Sequence, residues 1–193
     1  TAYASGADSF AAAIANNTSS YGATGDESVA MGRFAKATGS RSIALGGNAT
    51  ATALFATALT NSYASGGDSF AAGMDSASAS YGAQATSSIA IGKQAKATGA
   101  YGTAIGEATQ ATASNSVCMG YYSQATAQGA VAIGYDAQAT AGKSYSFGLK
   151  VRNAIQNTFR FAGGHFSAAG DAQSGIYIMR SDTTDATAEA LTT

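Results

Sequence analysis

Few residues of this chain are equipped for chemistry. Histidine occurs once, at His165, and cysteine once, at Cys118, while eleven carboxylates are scattered over 193 residues. With one imidazole per chain, neither a histidine-based triad nor a multi-histidine metal site can be assembled within a protomer. His165 follows Gly163-Gly164 and reads as a turn-flanking or interface residue; only three copies around a symmetry axis would offer a metal several imidazoles. Cys118 sits in the middle of Ser116-Val-Cys-Met-Gly120, a slot that Ala30, Ala44 and Ala90 fill in similar pentapeptides. It therefore reads as a buried, inert thiol with no base beside it. Asp171, Asp182 and Asp185 lie in Gly- and Thr-rich surroundings. Their spacing fits no EF-hand loop, and turn caps are the expectation. No Gly-Lys-Ser/Thr follows any glycine-rich stretch, so there is no phosphate-binding loop. Sequons at Asn16, Asn17 and Asn48 are expected from the abundance of Asn, Ser and Thr alone. A polysaccharide depolymerase would need paired acids along a groove, and none recurs in such a register. No catalytic, cofactor-binding or metal-ligating residue and no cofactor is assigned, and the chain is not expected to be an enzyme. The residues left with binding chemistry are aromatic. Tyr21, Tyr81, Tyr121, Tyr122 and Tyr135 follow or flank turns. There they either stack on the sugars of a surface polysaccharide or cover the edges of a thin core.

The elements that hold these residues must be built from little material. Ala, Gly, Ser and Thr dominate, Pro and Trp are absent, and only 11% of residues are charged. Much of the hydrophobic fraction is Ala, which buries little area. At about 25 cal/mol per Å², such a chain struggles to offset its conformational entropy as an isolated globule. Self-association is the readiest source of further buried surface. The net charge of −1 supplies no basic field, so neither nucleic acid nor an anionic membrane is an expected partner. No apolar run of transmembrane length occurs, so no membrane insertion is expected in this segment. The chain opens at Thr1 with no initiator Met or signal peptide and reads as a piece of a longer polypeptide.

Periodicity is the strongest signal. Ser28-Val-Ala-Met-Gly32, Ser42-Ile-Ala-Leu-Gly46, Ser88-Ile-Ala-Ile-Gly92, Ser116-Val-Cys-Met-Gly120 and Ala130-Val-Ala-Ile-Gly134 share one pattern. The closing glycines at 92, 106, 120, 134 and 148 stand 14 residues apart, as do Gly32 and Gly46, and Thr60 fills the next slot. A second element lies between the units, as in Ala35-Lys-Ala-Thr-Gly39, Ala95-Lys-Ala-Thr-Gly99 and Ala137-Gln-Ala-Thr-Ala141. Above this runs a longer repeat: Tyr3 to Gly46 aligns with Tyr63 to Gly106 at a constant offset of 60. One step in each copy is 19 residues long and carries an extra Tyr-Gly, at Tyr21-Gly22 and Tyr81-Gly82, as an enlarged coil or an outward loop.

Alternation with period 2 predicts strands. Fourteen residues at about 3.3 Å each suit a flattened, two-sided coil: two strands of about four or five residues joined by tight turns. Glycine at the end of the first strand supplies a left-handed or strained turn backbone. Roughly ten coils stacked about 4.8 Å apart make a rod on the order of 48 Å long. One set of side chains fills the roll and the other faces out. The outward apolar row forms a stripe of several hundred Å², too large to leave wet, and packing three such stripes around an axis buries it.

These pentapeptides at 14-residue spacing resemble the head repeats of trimeric autotransporter adhesins, the YadA-like heads. The resemblance covers residues 1–148 and implies an all-β fold: a left-handed parallel β-roll, or solenoid, of about 14-residue coils, assembled as a homotrimer. The same repeat occurs in bacteriophage tail fibres, and two stretches lean that way. The irregular segments Tyr3–Ala13 and Asn17–Gly25 resemble those of phage fibre proteins. Phe166–Gly175 and Thr183–Leu191 resemble a segment of phage virion structural proteins. The leading reading is a segment of a bacteriophage tail fibre, located on the virion and extracellular, a rigid spacer with a part in host attachment. The alternative is the head of a bacterial outer-membrane trimeric adhesin on the cell surface. Expected partners are further copies of the chain, other tail or fibre proteins, and a host cell-surface glycan or protein.

After Gly148 the repeat stops. Residues 149–193 are expected to form a neck or cap, a small C-terminal β region and the start of a further, truncated β element. Phe159-Arg-Phe, Gly163-Gly164 and His165-Phe166 read as strand, turn, strand, and Ile176–Arg180 as another strand.

Overall fold

The computed structural model describes residues 3–14, 21–75 and 77–177. The expected strand at Ile176–Arg180 and the candidate caps Asp182 and Asp185 lie wholly or partly outside these residues. Every regular element described is a strand, and they fall into two parallel stacks. A wide sheet of twelve strands runs from Phe10–Ala12 to Ser174–Ile176, and a narrow sheet of ten runs from Gly22–Ala23 to Arg152–Asn153. The chain alternates between the two, one strand of each per coil, which makes a two-sided parallel β-solenoid.

The coil is lopsided. Wide-sheet strands hold three to five residues, as in Val131–Tyr135, whereas narrow-sheet strands hold two, as in Gln138–Ala139. The expectation of two nearly equal strands is corrected accordingly. The two turns consume the difference, because each contains a residue in the left-handed region. One turn edge carries Arg41, Phe55, Tyr101, Asn115 and Lys143 at φ of 55, 56, 58, 56 and 52°. The other carries Phe34, Asn48, Gln94 and Tyr122 at 60, 55, 57 and 53°. Each such non-glycine residue costs about 1 kcal/mol. The cost is tolerated because both neighbouring rungs fix the turn by backbone hydrogen bonds, such as Tyr122 N to Glu107 O at 2.9 Å.

Glycine is needed for a different reason at the end of the wide strand. Gly120 has φ of 118°, and a Cβ on it would lie 2.1 Å from the carbonyl oxygen of Gly134. Conformation and stacking distance thus both exclude a side chain, which explains the 14-residue recurrence of this glycine.

Registers are in phase: Val117 pairs with Val131, Cys118 with Ala132, Met119 with Ile133 and Gly120 with Gly134. From Val29–Met31 to Tyr145–Leu149 the second residue of each wide strand points inward. Ala30, Ala44, Ala90, Ala104, Cys118 and Ala132 are fully buried, facing Ala37, Ala51, Ala97, Ala111, Ala125 and Ala139 from the narrow sheet. The core is therefore chiefly a column of methyl groups and serine side chains, with Thr109, Val151 and Asn153 among the few larger residues in it. In four of the coils the serine that opens the unit closes the turn. Ser28, Ser88, Ser116 and Ser144 are buried and donate through Oγ to the carbonyl three residues earlier, at 2.6, 2.7, 2.6 and 2.6 Å. This satisfies a polar group that burial would otherwise penalise.

The 19-residue step between Gly73 and Gly92 is an outward loop. Phe70–Ala72 still pairs in register with Ile89–Ile91, so the extra residues add no rung. At the far end the parallel ladder runs one coil past Gly148. Phe159–Gly163 pairs parallel with Tyr145–Leu149, and Arg152–Asn153 continues the narrow sheet. Two features then cover the last rung. Ser174–Ile176 pairs antiparallel with Phe159–Phe161. The Gln173 amide accepts from the Arg152 N–H at 3.0 Å and donates to the Arg152 carbonyl at 2.9 Å, as a further strand would. His165-Phe166 forms no strand; the antiparallel partner of Phe159–Gly163 lies eight residues farther on.

Candidate functional site

Two outer surfaces carry chemistry. The wide sheet presents Val29, Ile43, Ile89, Val117, Val131 and Tyr145 in one outward ladder and Met31, Leu45, Ile91, Ile105, Met119, Ile133 and Phe147 in a second. None of these is buried within the chain, and Met31, Ile43, Ile89 and Phe161 are 42, 37, 37 and 44% exposed. At the C-terminal end the ladders become aromatic: Tyr145 stacks on Phe159 at 4.4 Å and Phe147 on Phe161 at 5.6 Å between ring centroids. The narrow sheet shows Lys36, Thr50, Lys96, Gln110, Gln124 and Gln138 in the corresponding outward slots.

The five tyrosines singled out by sequence lie along one turn edge, beside the narrow sheet, and fall into groups. Tyr21 packs against Phe34, with centroids 5.1 Å apart, and the Arg33 guanidinium lies 4.5 Å from the Phe34 ring centroid. Tyr81 also leans on the core, at the foot of the outward loop. Tyr121, Tyr122 and Tyr135 form one cluster, Tyr121 edge-on to Tyr122 at 4.5 Å and stacked on Tyr135 at 5.0 Å. Burial and neighbouring Tyr122 raise the phenol pKa of Tyr121 above its ordinary value.

Hollows open between these groups. One of about 480 Å³ is lined by Tyr21, Phe34, Asn48, Thr50, Asn61 and Asp75, among others. A second, of about 320 Å³, lies between Tyr81 and Tyr122 over Gln94, Lys96 and Gln110. A third, of about 350 Å³, is bounded by Tyr121, Tyr122, Tyr135, Asp136 and Lys150. Sequence reading named the tyrosines and missed Gln84. Its Nε2 donates to the carbonyls of Ala79 and Tyr81 at 2.7 and 3.0 Å and so shapes the loop wall. The only signal was that Gln84 stands where the first 60-residue copy has Thr24.

The remaining candidates fall apart. Cys118 is fully buried, and that burial pushes its thiol up to about 12, far from the thiolate a nucleophile requires. His165 is exposed, with Nε2 3.2 Å from Lys150 Nζ. Asp171 caps a turn, accepting from the N–H groups of Phe166, Ser167 and Ala168 at 2.8, 2.7 and 2.8 Å. Those three donors hold its carboxyl well below the usual range. Among the described residues, no three His, Cys, Asp or Glu side chains gather as a metal site would require.

No curated protein matches the chain. The family model of the YadA head domain repeat, written as two copies, matches residues 23–49, 37–59, 83–108, 97–123, 111–137 and 125–144. The matches fall into two runs, 23–59 and 83–144, within which neighbours overlap by about one coil, and together they cover just over half of the chain. With the repeat, the register and the small-residue core all in agreement, the chain belongs to the YadA head domain repeat family.

Proposed function

We propose that this adhesin-type, surface-exposed fibre module works as a homotrimer, three rolls joined through their wide sheets into a rigid rod. The observation that carries this reading is the double ladder of mostly Val, Ile, Met, Leu and aromatic residues facing outward along that sheet, interrupted only by Thr57 and Thr103 in one row and Ala12 and Ala72 in the other. An apolar face running the length of the roll is far larger than a soluble monomer leaves in water. The thin methyl core of a single roll also supplies little burial of its own. A three-fold axis buries all three faces at once. Residues 164–177, which cover the last rung, serve as the end cap a solenoid requires. The assembly is tested by light scattering coupled to size exclusion. A mass near three times 19.0 kDa in an elongated particle is expected, and a compact monomer would sink the reading.

The biological setting we favour is the bacteriophage tail fibre, with the segment as spacer and part of the attachment apparatus. The irregular insertions and the phage-like residues 166–175 support it. The family itself supports the second reading, a bacterial surface adhesin. Immunogold labelling separates them: antibody against this chain should decorate phage tails, and label confined to the bacterial envelope would favour the adhesin.

A further inference from the structure

We propose that the hollow between Tyr81 and Tyr122 is a binding groove for an oligosaccharide strand. The inference rests on the fibre reading for one thing only: in a trimer closed through the wide sheets, the narrow sheet faces solvent.

The groove has fixed walls and a polar floor. Its first wall is the outward loop, where Tyr81 N–H donates to Ser78 O at 3.0 Å and Ser80 N–H to Ser78 Oγ at 3.1 Å. Gln84 pins the same turn from below. The opposite wall is Tyr122, 48% exposed, set by its left-handed backbone and steadied edge-on by Tyr121. The amides of Gln94 and Gln110 and the ammonium of Lys96 form the floor. Rings that accept C–H groups on their faces, over amides that both donate and accept, suit a ligand whose faces are C–H and whose rim is hydroxyl. That is a pyranose chain. An apolar tail finds no dry lining here.

Charge narrows the class. Two carboxylates at this edge are engaged, Glu107 by Lys93 at 3.0 Å and Asp136 by Arg152 at 2.9 Å. Lys96, on the groove floor, and Lys150, in the adjoining hollow that Tyr122 also bounds, have no carboxylate partner among the described residues. Neutral and carboxylate-bearing sugars share the stacking chemistry; only the second would engage these ammonium groups.

The duplication contains its own control. Tyr21 holds the place of Tyr81 in the first copy, but Phe34 lies against it, and the residue aligned with Phe34 in the second copy is Gln94. One chain thus carries related hollows twice, once with an aromatic ring packed against the tyrosine and once with a glutamine in that slot.

The test is titration of the full chain with a neutral glucose hexasaccharide and a galacturonate hexasaccharide, read by saturation-transfer NMR and calorimetry. Tyr122→Asn removes the ring while keeping a residue that tolerates the left-handed backbone, and Tyr81→Leu keeps the packing on the core. Each is expected to weaken binding about tenfold, the loss of a stacked aromatic contact of roughly 1.4 kcal/mol. Tyr21→Leu should leave affinity unchanged. Preference for the galacturonate assigns a role to the lysines; equal binding assigns the neutral class. No binding of either saccharide at millimolar concentration, or binding indifferent to both Tyr81→Leu and Tyr122→Asn, overturns the proposal. The mass of the same samples keeps the two readings apart: a trimer that binds nothing sinks the groove alone, and a monomer that binds sinks only the assembly.

Discussion

On the wide sheet the outward slots of successive coils read Ile89, Thr103, Val117, Val131 and Tyr145; on the narrow sheet of the same coils they read Lys96, Gln110, Gln124, Gln138 and Arg152. Both sheets point mainly alanine inward, with Cys118, Ser146 and Asn153 as exceptions, and both stack in parallel register. Apart from strand length, they differ in what period-2 alternation sends outward. Fold and assembly are therefore encoded in separate slots of one repeat: the interior methyls specify the roll, and the outer row specifies which face is shared with a partner. A substitution should report on one or the other according to its slot.

The largest expected effect is on the apolar face. Ile133→Asp removes about 2 kcal/mol of burial per protomer and places three carboxylates near the axis of a trimer. The assembly should fall to a mass near 19.0 kDa. Gln124→Asp, in the matching slot of the narrow sheet, should leave the mass unchanged; if both variants dissociate, the two faces do not differ as argued. Next comes the shared interior. Ala104 is fully buried beside Ala90 and Cys118, and Leu in its place has no volume to enter. Ala104→Leu should cost about 3 kcal/mol and lower the urea midpoint sharply. Its neighbour Thr103 faces outward, and Thr103→Val should leave the midpoint unchanged or raise it.

Most of this architecture was legible because the repeat states it ten times over. Gly120, Ala132 and Ser116 each recur at a spacing that only a stacked coil explains, and the family resemblance followed from those residues. What escaped were features without a compositional mark. The left-handed turns at Phe55, Tyr101 and Lys143 are imposed by neighbouring rungs rather than by residue type, so glycine counting could not locate them. The coil beyond Gly148 uses Phe159 and Phe161, stacked on Tyr145 and Phe147 of the coil before it, where earlier coils use Val and Ile; the register persists although the motif does not. The tyrosines were visible as a set. That Phe34 packs on Tyr21 while Gln94 holds the matching slot beside Tyr81 is something only the stacking of coils brings to bear.

A smaller effect tests the turn edge both sheets share. Lys143 has φ of 52°, in a ladder where Asn115, Gly129 and Asn157 precede and follow it. Lys143→Asn should raise stability by roughly 0.5 kcal/mol, since Asn tolerates that conformation better, and Tm should rise by one to a few degrees. A drop would mean that the Lys143 side chain makes contacts worth more than the backbone preference.

The smallest effect concerns the end of the roll, where wide and narrow sheets are treated alike. Asp171 holds the turn that leads to Gln173 and Ser174–Ile176, which cover the last rungs of the narrow and wide sheets respectively. Its carboxyl pKa is lowered by three backbone donors, so its contribution is complete above the unfolded value of about 3.9 and fades as pH falls below that toward the folded one. Amide exchange at Phe166, Ser167 and Ala168 should then be insensitive to this group between pH 7 and 5 and accelerate in stronger acid. Asp171→Asn, which cannot carry the charge, should show the loosened turn already at pH 7. Because the turn leads to both covers, loosening should reach Arg152 N–H and the Phe159–Phe161 pairing together. Exchange that rises at one sheet end and not the other would show that the two covers are held independently, and that the shared turn is not what links them.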